Sequence, residues 1–217
     1  LLLLISSTIS ASFKQLIPAE NGTFIGLDNA KNIQKLAAKG YVVWDKKELK
    51  CNKIHYYFGI VYCQSERGTL TAIDEIYGFK KWEIELKNPI IDFKHPYIFA
   101  LTSENKLRAI DSETGINVWN KQLKISPFAL NVANNNEITV LTHDKIIKLN
   151  SFELGKHKEI KLKTRIKRQE LIRLTSNYYL TKEKKRCKWY TLNQDRKGEF
   201  DCSLKVNDHI SIINNKL

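Results

Sequence analysis

Methionine is missing from all 217 positions, including the first, so the chain is expected to be processed or incomplete. Adjacent cysteines and C-x-x-C spacings are missing too, which leaves zinc, haem-attachment and thioredoxin-like chemistry without a local ligand set. No Gly-x-Ser-x-Gly elbow, Gly-rich phosphate loop or His-Glu-x-x-His occurs. Hydrolase and nucleotide chemistry therefore have no foothold. Long apolar runs are also lacking. The one that opens the chain, LLLLISSTIS followed by Ala11 and Ser12, is too short for a bilayer, which takes about 20 residues. Residues 1–12 read as the remnant of an export signal, with a buried strand as the other reading. On the first reading the mature protein starts near Phe13 and resides outside the cytosol.

Cysteine is scarce but even in number: Cys51, Cys63, Cys187 and Cys202. Local pairs Cys51 with Cys63 and Cys187 with Cys202 are conceivable, as an oxidising compartment would favour, and so are buried free thiols in strands. His55, His95, His143, His157 and His209 are scattered, and lone histidines are surface or packed residues more often than ligands.

What the chain does have is a repeat. Ala72 to Trp82, AIDEIYGFKKW, returns as Ala109 to Trp119, AIDSETGINVW. Leu70, Ala72, Asp74, Gly78, Trp82 and Leu86 fall on Leu107, Ala109, Asp111, Gly115, Trp119 and Leu123 at one offset of 37 residues. Leu70, Ala72 and Asp74 alternate with Thr69, Thr71 and Ile73, the period of a strand. Asp starts a turn by accepting a nearby backbone N–H, and Gly supplies the positive φ that closes the hairpin. Gly59 to Gln64 and Tyr97 to Thr102 read as preceding strands, so each repeat is a small antiparallel sheet. Such a sheet, apolar on both faces, needs neighbours, and radial stacking into a β-propeller provides them. Trp is then expected to fill the gap between adjoining blades.

The pattern A-x-D-x-x-x-G-x-x-x-W resembles the repeat of the pyrroloquinoline-quinone-like (PQQ-like) propeller family, which includes quinoprotein dehydrogenases and the outer-membrane assembly lipoprotein BamB. The second copy, with Glu113-Thr114-Gly115, matches in full; the first has Tyr77 where the family has Thr. The resemblance implies an all-β fold, a β-propeller of four-stranded antiparallel blades. Residues 13–217 are read as one partial domain of about five units, an open arc or truncated ring. In the dehydrogenases PQQ and Ca²⁺ are held on the propeller axis by acidic and amide ligands, often beside a disulfide of adjacent cysteines. Here Asp74 and Asp111 match the structural Asp of the repeat, so no catalytic residue, cofactor or metal is assigned. The resemblance favours a non-enzymatic scaffold in the periplasm or on the periplasmic face of the outer membrane. Its partner would be the outer-membrane assembly machinery or its substrates, and any membrane association would run through that partner. BamB's signal ends just before a Cys, whereas the first Cys here is Cys51. The alternatives are a fragment of a quinoprotein dehydrogenase and the lumenal sensor propeller of a eukaryotic membrane protein.

Outside the two full copies the signal is weaker. Gly22-Thr23 and Leu27-Asp28 echo Gly68-Thr69 and Ile73-Asp74, and Gly40 to Trp44 repeats the Gly-to-Trp spacing, which makes a degenerate first blade. Asn29 to Lys39 reads as an insertion, a short helix with Ile33, Leu36 and Ala37 on one side. Leu49 is one residue out of register with Leu86. Later, Ile138 to Thr142, Ile146 to Asn150 and Gly155, then Tyr178 to Thr181, Cys187 to Asn193 and Gly198, repeat strand, strand and turn Gly. Glu159 stands where Trp would be. His209 to Leu217 reads as the start of a further blade.

Formal net charge is +13, and Lys156 to Lys188 holds 13 Lys and Arg against three Glu. Arg165, Lys167, Arg168, Lys184, Lys185 and Arg186 form a candidate basic interaction surface. Lys alternating with Ile and Leu is also how a solvated strand face reads, and Tyr178, Tyr179, Trp189 and Tyr190 stand at spacings that serve a sheet. Nucleic acid is not assigned as a partner.

Overall fold

The structure, a computed structural model, describes residues 12–124, 126–150, 157–162, 165–192 and 196–201. Within them the chain forms five four-stranded antiparallel sheets, each strand hydrogen-bonded to its neighbours in chain order. The first sheet holds β1 (Phe13–Pro18), β2 (Phe24–Asp28), β3 (Ile33–Leu36) and β4 (Val42–Lys46). The second holds β5 (Cys51–Tyr57), β6 (Ile60–Ser65), β7 (Thr69–Asp74) and β8 (Lys80–Glu85). The third takes β9 (Ile90–Lys94), β10 (Tyr97–Leu101), β11 (Lys106–Asp111) and β12 (Asn117–Gln122). The fourth has β13 (Ala129–Val132), β14 (Glu137–Leu141), β15 (Lys145–Asn150) and β16 (His157–Lys161). The fifth has β17 (Leu171–Leu174), β18 (Tyr178–Glu183), β19 (Arg186–Thr191) and β20 (Arg196–Asp201).

Position within a sheet decides how its sequence reads. Second strands are covered on both faces, so Ile60–Cys63, Ile98–Leu101 and Ile138–Leu141 are unbroken buried runs. Fourth strands have one wet face, and β8 and β12 alternate accordingly. The connection from the fourth strand is clipped back by one recurring backbone bond: Leu86 N to Gly68 O, Leu123 N to Asn105 O and Leu162 N to Asp144 O. In the first sheet Cys51 N makes that bond to Lys31 O, so buried Cys51, not Leu49, takes the Leu position.

The helix expected within Asn29 to Lys39 is not there. That segment contains β3, which pairs with β2 from Leu27↔Ile33 to Phe24↔Leu36. Asp28 turns the chain by accepting from the Asn32 backbone N–H at 2.8 Å. The true counterpart of the Asp74 turn is Ala37 to Gly40, one residue shorter, where Ala37 N bonds Tyr41 O as Asp74 N bonds Phe79 O. Three apolar residues at helical spacing could not outweigh a strand buried on both faces. Gly198 is likewise no turn residue: it lies in β20 opposite Trp189, where an added Cβ would strike the indole. Gly155, Cys202, residues 1–11 of the export-signal reading and the expected strand after His209 lie outside the described residues.

The described residues fall into two compact units, one running to Pro89 and including Ile110–Asn117, the other comprising Ile90–Ala109 and the chain from Val118 on. In the first unit Ile25, Leu27 and Ile33 pack with Ile54, Val61 and Ile73 between its first two sheets. In the second, one cluster joins Phe99, Leu101 and Leu107 to Ile138, Val140 and Leu149, and another joins Leu141 and Ile146 to Leu174 and Tyr179.

Cys51 and Cys63 are disulfide-bonded across β5 and β6, with Cα atoms 5.5 Å apart, inside the first of these clusters. Cys187 is also disulfide-bonded. Closing so short a loop removes about 3 kcal/mol of denatured-state entropy. Replacing Cys51 and Cys63 together by Ala is therefore expected to lower unfolding free energy by about that amount, read from urea titrations. An unchanged midpoint would show that the bond constrains nothing.

Candidate functional site

The repeat residues build a junction between successive sheets of the first unit. Asp74 Oδ1 accepts from Tyr77 N at 2.8 Å; Asp111 Oδ1 accepts from Glu113 N, Thr114 N and Thr114 Oγ1. Both carboxylates are therefore committed to their own turns, which close at Gly78 and Gly115 with φ of 72° and 74°. The Trp of the sheet before lies on each glycine. A Cβ at Gly78 would come within 2.8 Å of the Trp44 ring, and one at Gly115 within 2.7 Å of Trp82. The indole N–H of Trp44 donates to Glu75 O at 3.0 Å, and that of Trp82 to Ser112 O at 3.1 Å. Tyr62 Oη donates to the same Ser112 carbonyl, and burial pushes its phenol well above the ordinary range. In the second unit, Trp119 packs 5.9 Å from Phe99, as Trp82 packs 5.8 Å from Tyr62.

Sequence reasoning passed over Lys35 and Glu75. Lys35 pairs with Trp44 across the strands as Ala72 pairs with Trp82, so a lysine occupies the repeat's alanine position. Its ammonium lies 2.8 Å from Glu75 Oε1, with Lys35 7% and Glu75 3% exposed. Thr23 Oγ1 stands 3.4 Å from the same oxygen. The match of Gly40 and Trp44 to Gly78 and Trp82 sets Lys35 on Ile73, and only the one-residue gap in the shorter turn brings it onto Ala72.

The six candidate basic residues gather at one end of the fifth sheet. Arg165, Lys167 and Arg168 lie just ahead of β17, Lys184 and Lys185 form the β18–β19 turn, and Arg186 opens β19. The register Leu171↔Thr181 and Glu183↔Arg186 sets the two segments side by side. Glu183 reports their proximity: hydrogen bonding to Lys188 first, then the fields of Lys184 and Lys167, hold its carboxyl below the usual range. Lys167 pairs with Glu170 at 3.4 Å and Arg186 with Glu199 at 2.9 Å. The aromatics between them are committed to packing. Tyr179 stacks on Tyr190 at 5.1 Å, and burial, with Tyr190 adding, pushes the Tyr179 phenol up to about 12.

A second surface lies on the first unit. Its third-to-fourth-strand turns and the β5–β6 turn expose Tyr41, Phe58, Ile76, Tyr77, Phe79 and Ile116. Tyr77 is 74% exposed and stacks on Phe79 at 6.1 Å. Glu75 N bonds Gly59 O, which ties the two turns of the second sheet together at one end. On the same unit an open cavity of about 550 Å³ is lined by residues of both charges, among them Lys31, Glu66, Arg67 and Glu83. No cluster of three or more His, Cys, Asp or Glu converges as a metal site among the described residues. His143 Nδ1 lies 2.7 Å from Ile166 O, and His157 Nε2 stands 3.7 Å from Glu159.

No protein-family model matches this sequence, and no curated protein does. Among solved structures, BamB from Moraxella catarrhalis superposes with a TM-score of 0.59 over 85% of this chain, at 12% sequence identity. The fold is a β-propeller. Each four-stranded sheet is a blade, and the Trp junction is a contact between blades. The chain spans 59% of the BamB chain that it matches.

Proposed function

We propose that this propeller is a non-enzymatic scaffold in outer-membrane protein assembly, exported to the periplasm, where its turn tips receive a protein partner. The partner is the assembly machinery or the precursors that it handles. The carrying observation is the row of exposed apolar turn residues on the first unit, since aromatic and aliphatic groups gathered on one surface mark interaction sites. The likeness in fold to BamB supports the reading, as does the Cys51–Cys63 bond, because structural disulfides persist in oxidising compartments. An extended precursor can also add to the outer edge of a blade, where backbone hydrogen bonds ignore side-chain identity.

Photo-crosslinking from position 41 or 116 in cells is expected to capture an assembly component or an outer-membrane precursor. Tyr77→Asp with Phe79→Asp should weaken that capture more than about tenfold, as loss of a central interface anchor does, with the thermal midpoint little changed. Capture of unrelated proteins only, or capture indifferent to the double change, would overturn the reading.

A further inference from the structure

The basic end of the fifth blade has no part in the turn-tip contact. Arg165, Arg168, Lys184 and Lys185 are exposed there, and none of their side chains makes an ion pair or hydrogen bond among the described residues. Lys167 and Arg186, though paired, keep 66% and 65% of their side chains exposed. Among the described residues of this blade no large hydrophobic side chain is exposed. Tyr179 and Tyr190 stack on each other within the core, and Trp189 lies over Gly198. Those three rings therefore pack within the blade rather than offering faces for stacking bases, which single-stranded nucleic acid uses. Among the described residues an exposed aromatic or aliphatic anchor of the kind that protein partners bury is missing as well. What is left is a charged surface without an apolar centre, presented on two adjacent segments of one sheet end. That chemistry fits a laterally extended layer of anionic headgroups, which attracts clustered Lys and Arg without requiring pockets.

We infer that the end of the fifth blade formed by Arg165–Arg168 and Lys184–Arg186 docks directly on an anionic phospholipid bilayer. This differs from association through a partner protein alone, which the sequence suggested. The contact is electrostatic, so it weakens as salt rises. Each cation near such a surface multiplies affinity about fivefold, so removal of three is expected to cost roughly a hundredfold.

The test is co-sedimentation of the full chain with vesicles of phosphatidylglycerol and phosphatidylcholine, and with vesicles of phosphatidylcholine alone. Binding is expected only to the first and should fade with added salt. A triple variant, Arg168→Gln, Lys184→Gln and Lys185→Gln, should lose roughly a hundredfold in affinity. A control triple, Lys47→Gln, Lys53→Gln and Lys124→Gln, removes the same net charge from exposed sites elsewhere and should lose only a few-fold. Equal losses from both triples would overturn the inference in favour of a net-charge effect. No binding to the anionic vesicles would also overturn it, as would equal affinity for single-stranded DNA abolished by the same triple. These substitutions leave the turn tips intact, so failure here and failure of the scaffold reading are separable.

Discussion

Glu75→Gln is expected to destabilise the protein by about 3–5 kcal/mol, because it leaves the Lys35 ammonium buried without its counter-charge. Lys35 and Glu75 lie 2.8 Å apart, their side chains 9% and 4% exposed, so solvent cannot replace the lost partner. The pair itself is not thereby a large net source of stability. Removing two charges from water costs nearly what their attraction returns, so a matched apolar pair can do as well. Lys35→Met with Glu75→Leu should accordingly recover most of what Glu75→Gln loses. Urea titration of the three variants measures both claims. A cost under about 1 kcal/mol for Glu75→Gln would show that water reaches the pair. The neighbouring junction supports this account, since Ala72 and buried Ser112 hold the corresponding positions without any charge.

Trp82→Ala is expected to cost about 3–5 kcal/mol, the range for deleting a packed aromatic. The ring lies against Gly115 and 5.8 Å from Tyr62, and its N–H donates to Ser112 O. A double-mutant cycle separates two reasons for Gly115. In the native protein an alanine there would clash with Trp82 and would also hold a φ of 74°. With Trp82 already Ala, only the backbone cost of about 1–2 kcal/mol should remain. Additive costs would mean that the close approach of ring and glycine contributes nothing.

Where a residue's chemistry dictates its backbone, the sequence was readable. Asp74, Gly78, Trp82 and their copies are such residues: each is needed by a turn or by the ring lying on it, so the spacing survives as a pattern. β3 was not readable. It has four residues, buried on both faces, so it lacks the alternation that announces a strand, and Lys35 within it and Ala37 just after it replace the repeat's Ala and Asp. The basic residues were visible as composition, but their meeting at one sheet end depends on the register of β17 against β18. The apolar turn tips were hidden for the opposite reason. Ile76 and Tyr77 fall inside the turn that Asp74 and Gly78 mark, and Phe79 just after it, but apolar residues beside a strand read as core, and only the hairpin geometry turns them outward.

The Trp junction also orders events in time. Residues leave the ribosome N-terminus first, and the ring of Trp82 finds its glycine 33 positions later, at Gly115. Until that segment has emerged, the second blade has an unfilled flank that chaperones can hold. The first and second blades thus each wait on the next, and a pause within the later repeat leaves the preceding one open to capture.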